Sequence, residues 1–199
     1  MGCPSSFDAS GDRAERDAGG SPPSLWVERW ARGVPPGSRV LDVACGGGRH
    51  ALLFAQRGCT VTAVDRDRTL ASAFENSNVK FVAADLEAAP WPLGNARFDV
   101  IVVTHYLHRP LFPMLRAALD LGGMLIYETF SAGNAAFGRP TNPDFLLNPR
   151  ELLDEFGADM HVIAFEDGFT AQPKPAMVQR IVVRNLGSSA VLPSDLCSL

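Results

Sequence analysis

Apolar residues along this chain come in short runs, several of them closed by an aspartate or a glycine. Arg39 to Ala44 (RVLDVA) reads as a buried strand feeding Cys45-Gly46-Gly47-Gly48, and His50 to Arg57 continues as a helix closed by Gly58. Thr60 to Val64 is a second strand ending at Asp65, Thr69 to Glu75 a short helix, and Val79 to Ala83 a third strand ending at Asp85. Phe98 to Val103 (FDVIVV) is a fourth strand, Leu111 to Leu119 a helix before Gly122-Gly123, and Met124 to Glu128 a fifth strand. Ahead of all these, Ser24 is a candidate N-cap for a short helix with Leu25, Trp26, Val27 and Trp30 on its apolar face, stopped by Pro35-Pro36-Gly37. Strands alternating with helices predict an α/β domain whose parallel sheet is covered on both faces.

The rhythm breaks after the fifth strand. Thr129 to Asn148 is rich in Gly, Asn and Pro, and a helix is expected from Pro149 to Phe156. Strands near His161 to Phe165 and Met177 to Arg184 are joined by a link too short for a parallel crossover, so they are expected to form an antiparallel hairpin. Residues 1–23 are polar and without apolar periodicity, which predicts a disordered segment, with one domain over 24–186 and a flexible tail over 187–199. Met1-Gly2-Cys3-Pro4-Ser5-Ser6 also spells an N-myristoylation signal, with Cys3 as a second acylation site; the competing reading is simply a disordered start.

Composition narrows the field of functions. The 199 residues suit one domain rather than two, and 46% hydrophobic with 20% charged residues is ordinary for a globular protein. A net charge of -4 argues against a nucleic-acid footprint. The four cysteines (Cys3, Cys45, Cys59, Cys197) have neither CxxC nor zinc spacing, and with no secretory or membrane-spanning run they point to reduced thiols in a cytoplasmic protein. No metal site is expected.

The chemistry concentrates at Val40 to Ala55 (VLDVACGGGRHALLFA) and the acids downstream of it. A strand that feeds a glycine turn and then a helix sets backbone N–H groups beside a ligand, and Gly46 and Gly48 leave room for its approach. The same spelling fits a dinucleotide site. Asp65 and Asp85 close the second and third strands, where carboxylates are placed to hold a ribose and, with the N–H of Leu86, the edge of an adenine. Asp42 lies just before the turn, where it can orient the loop or hold an ammonium through water. Each acid also has a plain structural use in a turn.

In this motif order the chain resembles the class I S-adenosylmethionine-dependent methyltransferases, in particular the small bacterial-type enzymes with a DxACGxGRH signature that are similar to tellurite-resistance and thiopurine methyltransferases. The resemblance covers roughly Ser24 to Asn185. It implies a Rossmann-like, three-layer α/β/α fold with a seven-stranded, mostly parallel sheet and one antiparallel C-terminal strand, Met177 to Arg184. It implies S-adenosyl-L-methionine as cofactor and S-adenosyl-L-homocysteine as product. Carried over residue by residue, the methionine part falls on Asp42, Ala44, Gly46 and Gly48, the ribose on Asp65 with Arg66 beside it, the adenine on Asp85 and Leu86, and the methionine end again on Thr104. Ala44 stands where the usual motif has its first glycine.

Methyl transfer asks mainly for in-line positioning, and well-oriented reactants gain about 7–11 kcal/mol from proximity. Catalytic candidates are therefore His105, Tyr106 and Glu128, after strands four and five. His105 is the best-placed base, although packing against the cofactor or bonding to backbone would serve it equally. Phe130 to Leu147 reads as a lid, with Arg139, Asn142 and Asp144 as polar substrate contacts; Arg109 is a further substrate candidate or only a loop cap. An arginine there would suit an anionic acceptor. Asn142-Pro143-Asp144-Phe145 spells an amine-methylating motif, but beyond the fifth strand rather than the fourth. The expected partner is a small-molecule methyl acceptor, with no nucleic acid or membrane, and the chain a monomer or homodimer. Two rival functions share the glycine turn: an NAD(P)-dependent oxidoreductase, which leaves the acid after strand three unexplained, and a non-catalytic cofactor-binding protein.

Overall fold

A computed structural model describes residues 20–187; the lipidation motif, the first 19 residues and the tail from 188 lie outside them. Seven strands form one sheet: β1 (Arg39–Val43), β2 (Thr60–Asp65), β3 (Val79–Ala83), β4 (Phe98–Thr104), β5 (Leu119–Phe130), β6 (His161–Thr170) and β7 (Ala176–Arg184). Their order is β3-β2-β1-β4-β5-β7-β6, parallel except that β7 runs antiparallel to both neighbours. This is the expected Rossmann-like α/β sheet with one reversed strand near its C-terminal edge.

Period-two alternation sorts the core into two layers. Val40 and Val61 point to the face covered by helices α1 (Leu25–Ala31) and α2 (Arg49–Gln56), with Trp26, Trp30 and Phe54. Leu41, Val43 and Ile101 point to the opposite face, under α3 (Phe112–Ala118) and α4 (Glu151–Phe156), with Tyr127 and Phe156. Central strands buried on both faces explain why β1 and β4 read as near-continuous apolar runs. Ser24 caps α1 as expected, its side chain accepting from the Trp26 N–H.

Three expected boundaries move. The segment after β2 is a 3-10 helix, Arg68–Phe74, started by Asp67, whose carboxylate accepts from the N–H of Thr69. The helix before β5 ends at Ala118, because Leu119 already pairs with Phe98 before the register shift that precedes Met124. β6 extends to Thr170, so the hairpin turn is only residues 171–175. The last two shifts follow from sheet pairing, which a local pattern does not contain.

Candidate active site

The carboxyl ends of β1, β2, β3 and β4 open into one cleft, lined by residues of the glycine turn, both acid-bearing turns and the loop after β4. Open α/β sheets bind ligands at this rim because the strand order reverses there, between β1 and β4 here. Ala44 and Gly46 adopt left-handed backbone, with φ of 52° each. A glycine would take that conformation at Ala44 without strain, and its replacement by alanine leaves the turn intact. At Gly46 an added Cβ would meet nothing within 4 Å, so the backbone there is open to a ligand. Gly48 has a different reason to be glycine: with φ +80°, an added Cβ would fall 2.3 Å from the Phe74 ring. Gly48 does not line the cleft; it admits Phe74 against the loop.

The predicted acids divide similarly. Asp65 lines the cleft while its two carboxylate oxygens accept from the N–H groups of Gly46 (3.0 Å) and Asp67 (3.0 Å), which ties β2 to the glycine turn. Asp85 also lines it, with one oxygen organising the turn through the N–H groups of Glu87 and Ala88. Arg66, Leu86 and Thr104 are in the same wall. Asp42 is not. It is buried beneath the turn, one oxygen accepting from the Ala51 N–H at 2.9 Å and Oδ1 without a partner among the described residues. Burial pushes its carboxyl up to about 7.

At the other end of the cleft stand His105, Tyr106, Leu107, Thr129 and Phe130, with Pro140 and Phe145 from the long loop. His105 has φ 51°, a conformation β-carbon sterics disfavour, and it is held there by its N–H bond to the Glu128 carbonyl at 2.9 Å. Its ring stacks on Phe130 with centroids 4.8 Å apart, leaving a quarter of the side chain exposed (27%). Glu128 is behind it rather than in the cleft: Oε1 lies 3.9 Å from His105 Nε2, and Oε2 is 2.5 Å from Arg180 Nε. At 3.9 Å this is not a hydrogen bond, and it is an ion pair only when the imidazole is protonated. Tyr106 offers its carbonyl to the hydroxyl of buried Tyr127.

The substrate candidates are placed less centrally. Arg109 binds Glu151 through two nitrogens (2.6 and 2.9 Å) and the carbonyls of Asp144 and Leu146, so it ties the loop to α4. Asn142 caps a 3-10 turn, Pro143–Phe145, through the Asp144 N–H, and neither it nor Arg139 lines the cleft. The loop itself is a closed flap: Leu147 donates to the Phe130 carbonyl, Ala132 to that of Leu147, and buried Asn134 bonds both Pro140 and Met177. The residues sequence reasoning missed are the apolar pair Pro140 and Phe145, and His50. Only the length of the loop hinted at the first two; His50 closes the DxACGxGRH signature but was given no role, and it is buried between Ser24 and Thr104.

These features suit S-adenosylmethionine. The glycine turn is open at Gly46, two carboxylates stand at consecutive strand tips, and Asp42 keeps an unmatched buried oxygen below the turn. Comparison with known proteins agrees. A family model described as a methyltransferase domain matches residues 40–122. The ubiquinone/menaquinone biosynthesis C-methyltransferase UbiE of Ectopseudomonas mendocina (strain ymp) is 35% identical over 120 residues, 51% of this chain and 46% of that one. The chain thus spans about half the length of the curated relatives it matches. Among solved structures, TehB from Haemophilus influenzae superposes with a TM-score of 0.68 at 19% identity, covering 80% of this chain and 61% of that one. The 1,6-didemethyltoxoflavin-N1-methyltransferase of Burkholderia thailandensis, crystallised with S-adenosylhomocysteine, gives 0.59 at 20% identity, with 82% and 79% covered. At such identities these two structures speak to the fold alone. The chain is thus similar to methyltransferase domains over residues 40–122, and its fold is that of solved methyltransferase structures.

Proposed function

We propose that the chain transfers a methyl group from S-adenosylmethionine to a small-molecule acceptor, mainly by holding the two in line. The observation that carries this reading is the convergence, in one cleft, of Gly46, Asp65, Asp85 and Thr104 with His105 at the far end. S-adenosylmethionine supplies a methyl group already made electrophilic by its sulfonium. Asp65 and Arg66 would hold the ribose, Asp85 and Leu86 the adenine, and Ala44, Gly46 and Thr104 the amino-acid end, with Asp42 supporting the turn from below.

The acceptor end is built from Leu107, Phe130, Pro140 and Phe145, with His105 as its base candidate. Arg109 is engaged by Glu151, so an anionic acceptor finds less support than a flat apolar one bearing an ionisable proton. The UbiE relatives, named for quinone C-methylation, support a small organic acceptor of that kind. His105 would take the acceptor's proton when it carries one into the reaction, with the Glu128 charge 3.9 Å behind to stabilise the imidazolium. A cytoplasmic setting, with no nucleic-acid or membrane partner and a monomeric or dimeric chain, belongs to the same reading. Among the described residues, no helix is long and apolar enough to cross a membrane.

Calorimetry with S-adenosylhomocysteine tests the assignment. Asp65→Ala should weaken binding by about 1.5–3 kcal/mol, the worth of hydrogen bonds to a charged group. His105→Ala should leave that affinity nearly intact while slowing turnover. Retention of a nicotinamide nucleotide in place of S-adenosylhomocysteine would overturn the reading.

A further inference from the structure

His50 is 1% exposed, and both ring nitrogens are engaged. Nε2 lies 3.0 Å from the backbone nitrogen of Ser24, and Nδ1 lies 3.2 Å from Oγ1 of Thr104. An amide N–H can only donate, so Nε2 must present its lone pair to Ser24. Burial keeps the ring neutral, holding its pKa down to about 3. A neutral imidazole has a single N–H, which must therefore be on Nδ1. The opposite tautomer would set two N–H hydrogens against each other at Ser24.

The consequence falls on Thr104. Its hydroxyl oxygen accepts from His50, so its own hydrogen is turned elsewhere, and it has no other hydrogen-bond partner among the described residues. Thr104 ends β4 and lines the cleft. We infer that His50 is a positioning residue that fixes the Thr104 hydroxyl as a hydrogen-bond donor into the cleft, aimed at the carboxylate of the cofactor's amino-acid end. A carboxylate has only acceptors and an ammonium only donors, so the O–H that His50 turns into the cleft finds its partner in the former. The inference rests on the S-adenosylmethionine reading above.

The lock is set from outside the cleft. Ser24 is the N-cap of α1, and Trp26 and Trp30 pack that helix into the same core layer as Ala51 and Phe54 of α2. Docking of α1 therefore presents the N–H that selects the tautomer, and the tautomer aims the threonine.

Two measurements on the whole chain test this. Long-range proton–nitrogen NMR of the unliganded wild type should show the His50 proton on Nδ1; a proton on Nε2 overturns the inference. Calorimetry then compares S-adenosylhomocysteine with methylthioadenosine, which lacks the amino-acid end. Thr104→Val should bind S-adenosylhomocysteine about tenfold or more weakly and methylthioadenosine as wild type does, while Thr104→Ser retains both. His50→Asn should weaken S-adenosylhomocysteine binding in the wild-type background and add little in the Thr104→Val background, since the hydroxyl it directs is gone. Equal loss for both ligands, no loss for either, or fully additive losses overturns the inference. A wild type that binds no S-adenosylhomocysteine removes the cofactor reading and this inference together; binding with additive losses removes the inference alone.

Discussion

Two buried titratable residues flank the glycine turn, and burial displaces them in opposite senses. The Asp42 carboxyl is pushed up to about 7 and the His50 imidazole down to about 3, desolvation being the main cause in both. For Asp42, the folded chain keeps a proton that the unfolded chain releases near pH 4, so its contribution to stability falls as pH rises from about 4 to about 7. For His50, the unfolded chain takes up a proton below about pH 6.5 that the folded chain refuses, so its contribution falls as pH drops from about 6.5 to about 3. Across the shared window the two slopes oppose. Asp42→Asn should therefore show stability rising with pH between about 4.5 and about 6.5, and His50→Asn stability falling over the same range. Urea unfolding at both ends of that window checks the signs; slopes of the same sign in the two variants would contradict this account of the turn.

At the scale of elements, one arginine ties the flap over the proposed acceptor end to its neighbours. Arg109 joins the loop after β4 to the start of α4 through Glu151, and to the flap through the carbonyls of Asp144 and Leu146. The side chains are only partly buried, 37% and 16% exposed, so solvent screens the pair. Loss of the tie in Arg109→Met should cost about 1–3 kcal/mol of stability. Pro140 and Phe145, the flap residues in the cleft, belong to the segment it restrains, while the turns bearing Asp65 and Asp85 do not. Arg109→Met should accordingly raise KM for the acceptor and leave S-adenosylhomocysteine affinity unchanged. An equal fall in both would mean that Arg109 supports the whole rim.

For the molecule as a whole, the walls of the proposed cofactor cleft come from turns after four neighbouring strands, so a ligand there would clamp elements far apart in sequence. Ligand that binds only the folded state stabilises it by about 2.7 kcal/mol at a hundredfold excess over Kd. For a chain this size each kcal/mol moves Tm by about 2–4 °C. S-adenosylhomocysteine should therefore raise Tm by about 5–10 °C, in a single transition read by circular dichroism. A nicotinamide nucleotide should leave it unmoved, and the reverse result would favour an oxidoreductase.

Strand positions, the glycine turn and the acids at Asp65 and Asp85 were legible in the chain itself, because each depends on local chemistry: apolar runs, backbone freedom and a carboxylate where a strand ends. The opposed directions of β6 and β7 were legible too, since the short link between them excludes a parallel crossover; that β7 is the one reversed against the sheet was implied only by the family resemblance. Tertiary structure alone decided which glycine lines the cleft and which admits Phe74, since both have positive φ and only packing separates them. It also decided that Arg109 grips Glu151 and that Glu128 stands behind His105. Partners such as Ser24, His50 and Thr104 lie up to 54 residues apart from one another's contacts, and no local pattern records a meeting of that range. Residue type dictates what a side chain is able to do; the sheet order dictates which other side chain it does it with.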